Sequence, residues 1–394
     1  MTLVLRNSLK SLQLAANEAM SWLGQAPVTA SAYSQARHKL KHTAFIELNQ
    51  RAVVDVLYAD PDYRTFWGFR VLAVDGSKVV LPDRPDVRNE FGTIAWTGGK
   101  NSLVEGEKPC ALASVLYDVL NRVALDAALA PAKAYEVDLA VAHLAKTGAG
   151  DLLVMDRNYP SYRMLAELRR YGRNFVVRCS AASFAEARRM LKGDGPDSQR
   201  VKLTPCAGQR AETRRLGLPM SLAVRFVRVR LSTGEDEVLV TSLLDGDACP
   251  NEGFLALYRL RWRVETFYGL LKTRLGLENF SGKSVEAVRQ DFYATVYLSG
   301  LESVLTADAQ AHLDGKETRH AQTVNRAVSF NAIKSRAMDL LLGCSQDTGP
   351  LLEQLTAVFL TNPCLDRSQR NPPRKNTSTH TLLGFHKRQK KVCF

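Results

Sequence analysis

The sequence predicts an α/β protein whose central sheet pairs its strands in both directions. Between residues 70 and 180, short apolar runs rich in Val, Leu and Ala alternate with segments of helical spacing. The first strand-like runs come together before any helix, which makes a meander and excludes the purely alternating βαβ order of a doubly wound parallel sheet. The flanking stretches, 1–66 and 250–360, repeat their apolar positions with a period near 3.6. With 394 residues and 45% hydrophobic content, the chain has room for two or three core-forming units.

In chain order, NSLKSLQLAANEAMSWL and HTAFIELNQRAVVDVLY make residues 1–66 a helical N-terminal region. RVLAVDGSKVVLPD reads as two short strands, with a tight turn at Asp75-Gly76-Ser77. PCALASVLYDVLNRVALDAALAP reads as two more, joined at Asn121-Arg122. YEVDLAVAHLAKTG is a helix closed by Gly148, with Lys146 suited to its C-terminus. GDLLVMDRN is a buried strand, SYRMLAELRRYG a helix opening after Pro160, and NFVVRCS a strand. Residues 181–249 form a β-rich insertion, in which AVRFVRVRL and DEVLVTSLL are strands around a turn at 232–234. Arg228 and Arg230 alternate there with Val227, Val229 and Leu231, so one face of the strand is basic. Helices resume at Pro250.

No apolar run approaches the ~18 residues that span a bilayer, and Arg6, Lys10 and Glu18 interrupt the N-terminal apolar stretch, which reads as a helix and not a signal peptide. Seven scattered cysteines show no C-x-x-C spacing, which suits a reducing cytoplasm and argues against a zinc ribbon or a disulfide framework. The net charge is +13. Residues 367–394 hold eight basic and no acidic residues, leaving 45 Lys+Arg against 40 acidic residues elsewhere, so the tail carries over half of the excess. A tail of this kind is expected to be disordered and to contact a polyanion, because each phosphate it neutralises releases counterions.

In FLALYRLRWRVETFYGLLKTRL, residues 254–275, Glu265 is the one acidic residue among Arg259, Arg261, Arg263, Lys272 and Arg274. Asn251 is a candidate N-cap for this helix, and Leu257, Leu260, Val264, Phe267 and Leu271 mark its apolar stripe. At about 100° per residue from Tyr258, Arg261 falls near 300°, Glu265 near 340° and Lys272 near 320°. These four share a band beside the apolar stripe. An ion-pair ladder, with Arg261 four residues before Glu265, accounts for part of the pattern, although such pairs contribute only ~0.3–0.5 kcal/mol.

Two further carboxylates have a context that can complete a site. Asp156 closes the buried run Leu152-Leu153-Val154-Met155, and Asp75 follows Val71-Leu72-Ala73-Val74. Functional groups gather at the carboxyl ends of strands in α/β sheets, although turn and cap roles are equally open to each Asp alone. Three carboxylates from two strand ends and one helix suit a hard cation such as Mg²⁺. Two such ions ~3.5–4 Å apart can activate a hydroxyl and stabilise a leaving oxygen in phosphoryl displacement.

Tyr258, Arg261, Glu265 and Lys272, spaced Y-x2-R-x3-E-x6-K, resemble the Y-R-E-K signature of DDE transposases of bacterial insertion sequences, in the group called insertion-sequence family four. AVDGSKVVLPD and VMDRNYPSYRML are similar to that family's first and second Asp motifs. The resemblance covers roughly residues 30–305. It implies an RNase H-like mixed sheet flanked by helices, with a β-strand insertion and helical regions at both ends. The corresponding divisions are 1–66, possibly DNA-binding; 67–180 and 250–310 for the catalytic core; 181–249 for the insertion; 311–366 helical; and the tail 367–394. Asp75, Asp156 and Glu265 are implied as catalytic ligands of two Mg²⁺ ions, with Mn²⁺ able to substitute. Tyr258, Arg261 and Lys272 are implied to hold phosphates of double-stranded DNA at the element end, and Arg228 and Arg230 are candidates for further backbone contact. The resemblance also implies a homodimer on DNA, working at the bacterial nucleoid in the cytoplasm. A metal-dependent nuclease without strand transfer, and a non-enzymatic DNA-binding protein descended from a transposase, are the alternatives.

Some relatives stack an inserted Trp on a flipped base. No Trp lies between 97 and 261 in this chain, which speaks against a pathway through a hairpin end; Phe226 or Tyr159 are the candidates to substitute, and Trp262 is expected in the core. Gly282-Lys283-Ser284 lacks the first Gly of a P-loop, since position 277 is Leu. His38 and His42 are expected to face solvent or DNA. The absence of a G-x-S-x-G elbow speaks against a serine hydrolase.

Overall fold

The main sheet is built from nine strands: β1 Arg70–Val80, β2 Thr93–Thr97, β3 Val104–Asp118, β4 Val123–Pro131, β5 Asp151–Met155, β6 Asn174–Cys179, β7 Ser198–Leu203, β8 Leu222–Arg230 and β9 Asp236–Thr241. They are seen in a computed structural model that describes residues 1–6, 10–97, 104–231, 233–343 and 348–366. The basic tail, expected to be disordered and to contact DNA, lies outside the described residues, as does Ser232 of the 232–234 turn. The chain divides into two compact units, one of residues 60–77 and 112–268, the other of 1–59, 78–111 and 269–394.

The first unit holds the strand order β4-β3-β1-β5-β6-β9-β8-β7. Four residues, 119–122, join β3 to β4, too few for a crossover, so this pair is an antiparallel hairpin. Arg122 adopts φ 61° in that turn, at the Asn121-Arg122 junction anticipated from sequence. β1 pairs with β5, and β5 with β6, in parallel. A hairpin beside β1 followed by two parallel strands is the RNase H-like arrangement. β9, β8 and β7 then continue the same sheet in antiparallel fashion, so the strands of segment 181–249 lengthen the core sheet. Val71–Val74, Leu152–Met155, Phe175–Val177 and Val238–Val240 are almost wholly buried, as expected of central strands covered on both faces.

One sequence expectation is corrected here. Asp75-Gly76-Ser77 forms no turn, because β1 runs unbroken for 11 residues. β3 runs beside it past the end of β5, and ladder hydrogen bonding overrides the local Asp-Gly preference. Gly76 serves a close approach instead: a Cβ there would stand 3.1 Å from the Glu136 carboxylate and 3.2 Å from Leu112 Cδ1. β2, β7 and the helices Ala185–Leu191 and Ala207–Arg215 were not legible as elements.

Helix Gly253–Arg259 returns to this sheet with Phe254 and Leu257 fully buried. Its entry depends on Gly253, where a Cβ would lie 2.2 Å from Trp67 Cζ2. Asn251 does not cap it. The residue before the helix is Glu252, which makes no side-chain cap, and Asn251 Oδ1 accepts instead from the Arg225 guanidinium at 2.5 Å.

In the second unit the 21-residue helix Val285–Leu305 is the longest described, with Val288, Phe292 and Val296 in the core. Arg37, from helix Ala30–Lys39, donates to Gln290 Oε1 (2.7 Å), Ser281 Oγ (2.7 Å) and Asp291 Oδ1 (2.8 Å). His42 stacks on Tyr293 at 5.5 Å and lies 3.0 Å from Glu286, a packed position where exposure was expected, whereas His38 is exposed. The N-terminal helices thus share a unit with those after residue 284. A two-stranded ribbon, Ala321–Thr323 with Cys364–Asp366, was not anticipated. Among the described residues, no helix is long and apolar enough to cross a membrane.

Candidate active site

Two carboxylates are placed by strand register. β1 and β5 pair Arg70 with Asp151 through Ala73 with Val154, a constant offset of 81 residues. Continued two residues beyond its last pair, Ala73 with Val154, the same offset brings Asp75 opposite Asp156, the first residue after β5, and equal parity directs both side chains to one face. Parallel neighbours run about 4.8 Å apart, so the two acids stand side by side. Asp75 Oδ1 accepts the Gly76 N–H at 2.9 Å, and Asp156 Oδ1 accepts the Asn158 N–H at 2.8 Å.

Glu265 lies in the first turn of helix Trp262–Thr273, and its charge reaches Asp75. Burial, above all, raises the Asp75 pKa to about 7; the charges of Asp156 and Glu265 add to the rise, while the Gly76 N–H and Arg261 oppose it. A carboxyl that ionises reluctantly because of burial and like charges is a group a cation would relieve. The carboxylate-only donor set suits a hard divalent ion.

Among the described residues, no three acidic, His or Cys side chains are already gathered at ligating geometry. Glu265 is turned onto Arg261, whose guanidinium donates to Oε1 at 2.8 Å. Ligation by all three acids therefore requires that bridge to open. The ion-pair ladder weighed from sequence is present, but in an unusual setting: the Arg261 side chain is 5% exposed and Glu265 42%. Arg261 lies 5.7 Å from the Tyr258 ring centroid and 4.8 Å from that of Trp262. Tyr258 is buried, its hydroxyl has no protein partner among the described residues, and burial raises its pKa, so it is a neutral phenol.

The single helical stripe inferred from sequence is corrected. The Leu260 and Arg261 N–H groups bond three residues back, to Leu257 O and Tyr258 O, both at 3.1 Å, which separates helix Gly253–Arg259 from helix Trp262–Thr273. Such tighter turns advance about 120° per residue, so Tyr258 does not share Glu265's wheel.

The family model described as the transposase DDE domain matches residues 67–298, more than half of the chain. The chain belongs to that family. It is 24% identical over 294 residues to transposase InsG for insertion sequence element IS4 of Escherichia coli K12, an alignment that covers 73% of this chain and 63% of the relative. The chain thus matches just under two thirds of that relative's length. A piggyBac transposase synaptic complex with hairpin DNA aligns with 74% of this chain and 58% of its own, at TM-score 0.42 and 11% identity. That likeness is too distant to bear on the fold, which rests on strand order.

Within this DDE-family chain, the remaining residues singled out from sequence fall in varied places. Lys272 donates its Nζ to the carbonyl oxygen of Lys78 and lies 3.8 Å from Glu278, with burial lowering its pKa. Arg228 is 12% exposed and pairs with Asp197 at 2.9 Å, while Arg230 is 71% exposed and forks onto Asp236 at 2.7 and 2.9 Å. Trp262, expected in the core, is 41% exposed, because it opens its helix and covers the Arg261 guanidinium. Phe226 and Tyr159, the substitutes for a stacking Trp, are both buried and present no face to a base.

Some groups beside the carboxylates were not singled out from sequence. The Tyr268 hydroxyl bonds Asp75 O at 3.0 Å and Ala113 O at 3.1 Å, and Glu136 lies against Gly76. Tyr268 is three residues after Glu265, one helical turn on, which is the signal that could have marked it. A Ser–His–Asp chain also exists, with Ser114 Oγ 3.0 Å from His143 Nε2 and His143 Nδ1 2.7 Å from Asp126. Ser114 and His143 are each 1% exposed, so this relay ties β3, β4 and helix Glu136–His143 together and offers no nucleophile to substrate.

Proposed function

We propose that the chain is a DNA transposase that cuts at the ends of its element and joins the resulting 3′-hydroxyl to target DNA. What supports this reading is the β1–β5 register, which continued past its last pair brings Asp75 beside Asp156, together with the Asp156 and Glu265 charges that help raise the Asp75 pKa. Asp75, Asp156 and Glu265 would hold two Mg²⁺ ions, or Mn²⁺, which when bound activate the attacking hydroxyl and stabilise the leaving oxygen.

The chain's own residues prepare for this. Arg261 neutralises Glu265 in the absence of metal and, once Glu265 turns inward, is left with its donors available to a DNA phosphate. Tyr258 offers a neutral hydroxyl to the same backbone. Lys272 belongs to the phosphate-holding set through its place in the signature, and reaches DNA by exchanging its carbonyl bond for a phosphate. Arg230 is the better exposed of the two insertion cations for backbone contact. The N-terminal helices and the basic tail are further DNA-contacting regions, because end recognition needs base readout beyond phosphate contacts. The protein works as a homodimer on double-stranded DNA, at the bacterial nucleoid.

The test incubates protein, Mg²⁺ and labelled end DNA with a target plasmid. Joined product that disappears in Glu265→Gln, while end binding persists, supports strand transfer. Cleaved ends without joining would indicate a nuclease. Joining by Glu265→Gln at the wild-type rate would remove the metal-site assignment.

A further inference from the structure

β5 and β6 pair Leu152 with Asn174 through Met155 with Val177, a constant offset of 22 residues. Continued one residue beyond the last pair, that offset brings Asp156 opposite Arg178, and equal parity directs both side chains to one face. Arg178 therefore extends the row of Asp75 and Asp156 by one strand, and a cation stands next to a carboxylate assigned to metal. An arginine in that position is expected to take the acid. The same sheet shows it doing so elsewhere: Arg70 and Asp151 are opposite each other on β1 and β5, and the Arg70 guanidinium forks onto Asp151 Oδ1 and Oδ2, both at 2.7 Å.

Arg178 behaves differently. Its Nη2 pairs with Glu237 Oε1 at 2.9 Å. Among the described residues, the Asp156 carboxylate accepts from the Asn158 N–H at 2.8 Å and forms no ion pair. Glu237 lies on β9, the other neighbour of β6. The register there sets Leu239 opposite Arg178, so Glu237, two residues along, shares its face and meets the guanidinium on the diagonal. The Glu237 side chain is 10% exposed and that of Arg178 29%, so water screens the pair less than it would at the surface, and neither charge is easily left alone. The guanidinium is thus drawn to the β9 side of its strand, away from β5.

We propose that Glu237 is a positioning residue for the metal site: by holding the Arg178 guanidinium, it keeps that cation off Asp156 and leaves the Asp156 carboxylate open to a divalent ion. The inference rests on the metal-site reading above. Without the Glu237 charge, Arg178 turns to the carboxylate opposite it, as Arg70 does to Asp151, and a divalent ion must displace it before binding.

The experiment measures Mn²⁺ binding by titration calorimetry on the full chain without DNA, for wild type, Glu237→Gln, Arg178→Gln and the double variant. Glu237→Gln keeps the shape and removes the charge, and is expected to bind Mn²⁺ about tenfold more weakly, as for other groups that act on a ligand from behind. In the Arg178→Gln background the same change should weaken binding by less than about twofold, because the competing cation is gone. Unchanged affinity in Glu237→Gln overturns the proposal. So does an equal loss in both backgrounds, which would mean that the Glu237 charge acts on the ion directly. Arg178→Gln alone should bind Mn²⁺ at least as tightly as wild type. Weaker binding by that variant also overturns the proposal, even if Glu237→Gln fails to fold. Asp156→Asn separates the two levels. If wild type binds Mn²⁺ and Asp156→Asn does not, the metal site stands and the Glu237 and Arg178 results decide this proposal alone. If Asp156→Asn binds as wild type does, the metal site itself is wrong and this proposal falls with it.

Discussion

The hydroxyl of Tyr268 bonds the backbone carbonyl of Asp75 at 3.0 Å and that of Ala113 at 3.1 Å, so the helix that carries Glu265 is fastened to the strand that carries Asp75. Tyr268 is buried, and burial holds its proton in place well above the usual tyrosine pKa. Tyr268→Phe keeps the ring and removes the tether, leaving two buried carbonyls without this donor. A loss of about 1–3 kcal/mol is expected in urea denaturation. Because the tether also sets the spacing of two carboxylates, Mn²⁺ affinity should fall as well. A destabilised variant with unaltered Mn²⁺ affinity would confine Tyr268 to a purely structural role.

The raised pKa of Asp75 makes a signed prediction about stability. Between the ordinary carboxyl value of 3.8 and about 7, the folded protein keeps a proton that the unfolded chain has released. Stability of the metal-free protein therefore falls as pH rises through that window, by at most on the order of 4 kcal/mol from this group. Asp75→Asn cannot titrate there. In EDTA, the difference in unfolding free energy between variant and wild type should grow from pH 4 to pH 8 in the variant's favour. Mg²⁺ at pH 8 should stabilise wild type and leave Asp75→Asn unchanged.

Arg261 opposes that pKa rise, and it pairs with a partly exposed Glu265. Arg261→Ala is expected to cost about 1–2 kcal/mol, less than a fully buried pair would, because water screens Glu265. The pH window assigned to Asp75 should also move upward in this variant. A window that stays in place would mean that the guanidinium does not act on Asp75.

Arg228 and Arg230 separate by the same reasoning. Arg228 also donates to the carbonyl oxygens of Asp194 (3.0 Å) and Gly195 (3.4 Å), so Arg228→Ala should lower stability by about 1 kcal/mol. Arg230 is mostly in solvent. If it contacts DNA backbone, Arg230→Ala leaves stability within about 0.5 kcal/mol and reduces the salt dependence of end binding by about one unit of slope. An identical slope would take Arg230 out of the interface.

Gly253→Ala tests the support of the Y-R-E segment without touching it. The new methyl group would collide with Trp67, at 2.2 Å from Cζ2, and either that ring or the start of the helix must move. A loss of about 3 kcal/mol or more is expected in equilibrium unfolding, at the upper end for overpacking. Trp67 itself has φ 52° and packs edge-on against Phe254, so it has little freedom to give way.

How much of this was legible beforehand differs from element to element. The buried runs 152–155 and 175–177 are short, continuous and apolar, and they appeared as the strands they are, because full burial leaves few alternatives to Val, Leu and Met. The spacing of Tyr258, Arg261, Glu265 and Lys272 identified the family, and the DDE-domain match bears that out. The Asp75-Gly76 step misled, since its turn preference is local while its strand state comes from pairing with β3, a distant segment. The Y-R-E-K stripe misled in another way, because a helical wheel assumes one unbroken helix and two backbone bonds at residues 260 and 261 break it.

By itself, then, the sequence determined which residues are available: three acids, their cations, and the alternating elements that carry them. The tertiary structure decided which groups meet. A register offset of 81 residues brings Asp75 beside Asp156, a glycine admits Glu136, and the Tyr268 hydroxyl arrives from a helix. The physical reason is that pairing register and side-chain approach depend on contacts between residues tens to hundreds of positions apart, and no local preference along the chain encodes them.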